Sequence, residues 1–181
     1  MPNDGYTRTV LNRPLTGEPL PLDLANTQWV ISGEPHDALT DPDFVRSWMA
    51  DHGRPDVADL HRATRALVSA RAAIRTVLPR PTEASAYDAF NSLLARGHLR
   101  ERVDADGVST VVEVDDPDEW LAWKAAHDLI VLLNDRPHRI KPCGGCVLWF
   151  FDNTRSGTRR WCSMEACGNR AKVRRHRALH D

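Results

Sequence analysis

Cys143-Gly-Gly-Cys146-Val-Leu-Trp149-Phe-Phe-Asp152 and, after a polar loop, Arg159-Arg-Trp-Cys162-Ser-Met-Glu-Ala-Cys167-Gly-Asn-Arg170 are the stretches that decide the architecture of this 181-residue chain. The four cysteines they contain are all that the chain has, and all lie in the last 39 residues, so a disulfide framework for the whole chain is excluded. Their order is Cys143-x2-Cys146, fifteen residues, then Cys162-x4-Cys167. Two close pairs joined by a loop suit a tetrahedral zinc site, because each pair offers two thiolates from one tight turn. Gly144 and Gly145 are expected to supply positive φ in the first turn, turning backbone amides toward the sulfurs. The competing readings are buried, metal-free thiols or a redox pair. A redox Cys-x-x-Cys opens a helix inside a βαβ unit, whereas this one follows a proline-bearing connector and precedes the strand-like run Val147–Phe151. Four thiolates leave no coordination position for water or substrate, so one structural Zn2+ is expected, held by Cys143, Cys146, Cys162 and Cys167.

The charge follows the cysteines. The net charge of −1 hides 13 Lys and Arg against 22 Asp and Glu in residues 1–135, and 11 against 3 in residues 136–181. Such asymmetry marks a segment that meets polyanions. Arg159 and Arg160 precede Cys162, and Arg170, Lys172, Arg174, Arg175 and Arg177 crowd the segment after Cys167. If Asn169 caps a helix, Arg170, Arg174 and Arg177 share one face, and a guanidinium fork suits both phosphate oxygens and guanine edges. Arg170 has a second reading, as a brace that hydrogen-bonds a carbonyl of the zinc knuckle. Trp149, Phe150, Phe151 and Trp161 are expected to build a small core around the metal rather than stack on bases.

Upstream, residues 1–21 read as an irregular lead-in and Pro21–Ile31 as an apolar segment with a short helix. Thr40-Asp41-Pro42-Asp43 offers a cap, an early proline and acidic first-turn residues, starting a helix that reaches about His52. Leu60, Ala63, Leu67, Ala70, Ile74, Val77 and Leu78 recur at spacings of three and four, which predicts an amphipathic helix over residues 56–78. Thr82 is expected to cap a further helix that Gly97 stops. Residues 98–114 alternate around Asp106-Gly107 and predict a hairpin. Asp116-Pro-Asp-Glu119 opens a helix whose run Leu129–Leu133 predicts deep burial, and residues 136–142 form an extended connector. The fold class is α+β: a mainly helical N-terminal domain with a hairpin, residues 1–135, and a small treble-clef or ribbon-like finger with a basic C-terminal helix, residues 136–181.

The cysteine segments, with Cys167-Gly-Asn-Arg170-Ala-Lys172, resemble the CGNR zinc finger over about residues 136–180. That resemblance implies an N-terminal ABATE domain, described as a stress-induced transcription regulator of bacteria, and Leu22-Asp-Leu-Ala-Asn-Thr27 is similar to its opening motif. It implies DNA binding, with RNA second, and an N-terminal domain that senses a small-molecule signal or mediates assembly into a homo-oligomer. The alternatives are a zinc-stabilised module docking an acidic protein, and an enzyme with a site in the N-terminal domain. Chemistry for the latter is sparse: His36, His52, His61, His98 and His127 lack ligand spacing, Ser32 and Ser69 lie outside any nucleophile elbow, and no glycine-rich phosphate loop occurs. The reading is therefore a non-enzyme. Residues 1–13 contain no apolar core and no stretch approaches a membrane span, so a cytoplasmic protein without membrane contact is expected.

Overall fold

The computed structural model describes residues 13–54 and 56–178. They form two compact units, residues 41–131 and the described residues up to Thr40 together with those from Leu132 onward. The described residues up to Thr40 group with the cysteine region.

In the unit of residues 41–131, α2 (Pro42–Asp51) has Asp41 as its cap, accepting from Asp43 N at 2.9 Å. The long helix α3 (Leu60–Val77) is capped by Asp59, which accepts from Arg62 N at 3.0 Å. It buries Ala63, Ala66, Leu67, Ala70, Arg71, Ala73, Ile74 and Val77, so the stripe takes in Ala66, Arg71 and Ala73 beyond the expected positions, while Leu60 is only half-buried. Each fully buried Leu or Ile contributes about 1.5–3 kcal/mol relative to exposure. The helix α5 (Trp120–Asp135) follows a 3-10 turn at Pro117–Glu119 capped by Asp116. Asp118, 8% exposed, accepts from Ala58 N at 2.8 Å and Asp59 N at 3.0 Å, so one carboxylate ties the start of α3 to the start of α5.

Three local expectations are corrected here. Thr82 caps nothing: a 3-10 turn at Ala84–Tyr87 leads into α4 (Asp88–Leu94) without a side-chain cap. Gly97 does not stop that helix but begins β3 (Gly97–Asp104), which pairs antiparallel with β4 (Gly107–Val114) from Gly97↔Val114 to Asp104↔Gly107. A Cβ at Gly97 would stand 2.7 Å from Glu113 O and 2.9 Å from Trp123 Nε1, so close approach selects the glycine. In α5, deep burial ends at Leu129, and Val131 is 50% exposed.

In the other unit, the apolar segment resolves into α1 (Leu20–Ala25) and β1 (Gln28–Ile31), which pairs antiparallel with β2 (Glu34–Asp37). Ser32 (φ 53°) and Gly33 (φ 91°) both take positive φ, the geometry of a two-residue hairpin turn matched to strand twist. A 3-10 turn at Pro137–Arg139 occupies part of the expected connector, which then becomes β5 (Ile140–Pro142), antiparallel to β6 (Trp149–Phe151). A π-helical turn, Met164–Gly168, runs into α6 (Asn169–Arg177). Ser163, accepting from Ala166 N at 3.1 Å, is the cap, and Asn169 lies inside the helical conformation. Among the described residues no helix is long and apolar enough to cross a membrane.

Candidate metal centre

The loop between β5 and β6 presents Cys143 and Cys146, the segment after β6 presents Cys162, and the π-helical turn presents Cys167. Their four sulfurs lie within 4.8 Å of one another. Cys146 Sγ and Cys167 Sγ each stand 3.6 Å from Cys162 Sγ. Zinc–sulfur bonds of about 2.3 Å arranged tetrahedrally demand sulfur–sulfur edges of about 3.8 Å, so the donor set fits one zinc ion. Its electrostatics fit as well. The Cys146 thiol is drawn down to about 5, chiefly because Cys162 hydrogen-bonds its thiolate. Cys162 and Cys167 are pushed up, Cys162 first by its neighbour Cys146 and Cys167 first by burial. One thiolate forms readily and the next resist, a conflict that a dication relieves. Among the described residues no other cluster of three or more His, Cys, Asp or Glu is arranged to hold a metal.

Backbone and side-chain donors prepare the sulfurs. Gly145 N and Cys162 N reach Cys143 Sγ at 3.4 and 3.3 Å. The glycines of the knuckle are there for space, since neither Gly144 nor Gly145 has positive φ. A Cβ on Gly144 would meet the Trp161 ring at 2.9 Å, and one on Gly145 would meet Cys167 Cβ at 3.1 Å.

Sequence reasoning passed over the polar frame that carries these loops. Asp152, fully buried, accepts from Lys141 Nζ at 2.7 Å, Thr154 Oγ1 at 2.6 Å, Thr154 N at 3.1 Å and Arg159 N at 2.9 Å. Burial acts to raise its carboxyl, but these donors outweigh it and hold the group well below the usual carboxylate range. Glu18 accepts from Phe151 N at 2.7 Å, and burial raises its carboxyl despite that bond. Asn26 bonds the main chain of Trp149. Asp152 and Asn26 both stand inside recognisable motifs, yet only the fold shows what they hold.

The basic residues divide into two sets. Arg159 is engaged within the module: Nε donates to Trp161 O at 2.8 Å, Nη2 donates to Cys162 O, and the guanidinium lies 4.5 Å from the centre of the Phe150 ring. Arg170 donates from Nε to Ala166 O at 3.0 Å and from Nη2 to Cys167 Sγ at 3.0 Å, bracing a metal ligand. Arg160, which sits over Trp161, and Lys172, Arg174, Arg175 and Arg177 are exposed. Of the aromatics, Phe150 is fully buried, and Trp149, Phe151 and Trp161 are half-buried.

A four-thiolate knuckle at the base of a basic helix defines a structural zinc finger. Residues 139–180 match the family model of the CGNR zinc finger. Residues 18–136 match ABATE, described as "Putative stress-induced transcription regulator", and with most of its length covered the chain belongs to that family. These are regulatory and zinc-finger families rather than enzyme families, and the chain is a regulatory protein with a site for one structural Zn2+. None of the curated proteins compared with the chain matches it.

Proposed function

We propose that the chain is a DNA-binding transcriptional regulator of the cytoplasm, in which the zinc centre presents α6 to a duplex and the ABATE region receives a signal or mediates self-assembly. One observation carries this reading. Helix α6 buries no residue, and among the described residues Lys172, Arg174, Arg175 and Arg177 pair with no carboxylate. A charged helix that serves only as a solvated face ordinarily carries both signs, whereas α6 carries one. Arg174 and Arg177, a turn apart on one face, are assigned to base edges. Arg160, Lys172 and Arg175 are assigned to phosphates. Arg159 and Arg170 are assigned to holding the module in shape, with any contact to DNA secondary.

Fluorescence anisotropy with genomic duplexes over a salt series tests the proposal. Affinity falls with salt at a slope of about 0.9 per neutralised phosphate, and Lys172→Ala lowers that slope without changing sequence preference. The double substitution Arg174→Ala and Arg177→Ala costs roughly 1–3 kcal/mol per base contact and relaxes preference at particular base pairs. If the double variant keeps its zinc and binds DNA and RNA as the parent does, the DNA reading fails and an acidic protein becomes the partner to seek.

A further inference from the structure

The hairpin β3–β4 is a sheet of two strands, and among the described residues no main-chain group outside it hydrogen-bonds the main chain of Val108–Val112. Two strands alone are marginally stable in water. Residues opposite one another in the register point to the same face, so Val103 with Val108, Glu101 with Thr110 and Leu99 with Val112 share one. The apolar part of that face is open: Val103 is 80% exposed, Val108 76% and Leu99 41%. The two edges of the hairpin differ in charge. β3 carries Arg100, Glu101, Arg102 and Asp104, the kind of guard that keeps an open edge from pairing, whereas Gly107–Val112 of β4 carries no charge at all.

We propose that β4 pairs antiparallel with β4 of a second copy of this chain, about a two-fold axis at Thr110, so that the two hairpins form one four-stranded sheet. The strand is its own complement about that point. Thr110 meets Thr110 of the second copy, Val108 meets its Val112, and Glu113, the one charge of β4, meets its Gly107, so no like charges oppose. The same operation centred on β3 sets Arg100, Glu101 or Arg102 against its own like. In the β4 pair, Glu101 stays on the outer strand while the valines of both copies join into one stripe across the inner strands. Pairing of this kind is isologous and closes at two copies. Both edges left on the dimer are β3, which its charges guard, so the sheet does not grow further. All these residues lie in the unit of residues 41–131, so the inference is independent of the zinc centre and of DNA binding. It rests on the self-assembly half of the functional reading and gives that half a surface.

Sedimentation velocity on the full, zinc-loaded chain over a concentration series is the test. The parent passes from monomer to dimer at roughly 1–100 µM, the range of an interface at the small end of the scale. Val108→Lys combined with Val112→Lys places two like-charged pairs across the axis and holds the chain monomeric throughout the series. Val108→Lys combined with Val112→Glu changes the same two positions as severely but places two opposite pairs there, and it recovers the dimer. Glu101→Lys, on the same face but on the outer strand, leaves the dimer as it is. Zinc content and circular dichroism confirm that the variants keep the fold. A parent that stays monomeric throughout overturns the proposal together with the self-assembly reading. A dimer that survives the doubly basic change, or that the charge-paired change does not recover, overturns the proposal alone and moves assembly to another surface.

Discussion

The side-chain amide of Asn26 pairs with both main-chain groups of Trp149, donating to its carbonyl at 2.8 Å and accepting from its N–H at 3.0 Å. A side chain thus does what a neighbouring strand would do for β6, across 123 residues of sequence. Asn26 is 1% exposed, so water cannot take over either bond. Asn26→Ala is expected to leave two main-chain groups unpaired and to destabilise this unit by about 2–4 kcal/mol. Asn26→Asp keeps the acceptor and loses the donor, and falls between. Thermal unfolding and the rate of zinc transfer to a chelator measure both.

Metal removal should reach further along the chain than the finger itself. Structural zinc supplies on the order of 10–16 kcal/mol in finger peptides, and this small module has few buried side chains to replace it. Chelation is expected to unfold residues 140–178 and to loosen 20–37, whose amides become exposed once the Asn26 side chain loses Trp149 and the neighbouring Glu18 side chain loses Phe151. The helices of residues 41–131 persist. Hydrogen exchange by mass spectrometry separates the outcomes, and unchanged protection over 20–37 would refute the coupling.

Arg170 offers a finer test of the metal centre. Its bonds to Cys167 Sγ and Ala166 O tie a ligand to the π-helical turn that bears it. Arg170→Ala should speed zinc loss several-fold, whereas Arg175→Ala, one exposed cation fewer on the same helix, should not. Chelator competition followed by a zinc-sensitive dye reads the difference.

Asp152 predicts a pH dependence whose sign is fixed by its donors. Its carboxyl is held below the ordinary value of about 3.9, so its contribution is complete above that pH and is lost only as pH falls further. Asp152→Asn breaks a buried pair with Lys141 and should cost on the order of 3 kcal/mol. Between pH 5 and 8 that deficit is expected to stay constant. A carboxyl 13C titration showing Asp152 protonating near pH 4 would contradict the assignment.

The glycine that opens β3 gives a control away from the metal. Gly97→Ala forces a Cβ against Glu113 O and against Trp123 Nε1, whose hydrogen bond to Leu94 O is 2.8 Å long. The substitution should cost about 1–3 kcal/mol by overpacking and leave zinc content unchanged. Calorimetry with elemental analysis checks both halves of the statement.

How much of this was legible depended on whether the signal was local. The tetrad was, because Cys143-x2-Cys146 and Cys162-x4-Cys167 encode their own turns. So was the stripe of α3, because its apolar spacing repeats over several turns. The β1–β2 hairpin was not. Its turn, Ser32-Gly33, is compact, but β2 reads Glu-Pro-His-Asp, and a strand containing proline and two acids carries no alternation to notice. Asp152 and Asn26 looked like ordinary polar residues because their partners are main-chain groups that only tertiary structure brings near. The exposure of Val131 escaped for the opposite reason: an apolar run reads the same whether a neighbour covers it or not.

Helix α6 is nine residues long, well short of the roughly 12–15 at which isolated helices become even marginal in water. Arg170 and Arg174 repel at i,i+4, and Arg174 and Arg177 repel at i,i+3. What starts this helix is the turn that Cys167 and Ser163 fix beneath it, which meets the entropic penalty of the first hydrogen-bonded turn before any arginine is added. The zinc centre is thus a helix nucleus, and propagation from it depends on the surrounding ionic atmosphere: helical content in α6 should rise with salt or with a polyanion, and its last turns are where that gain is stored.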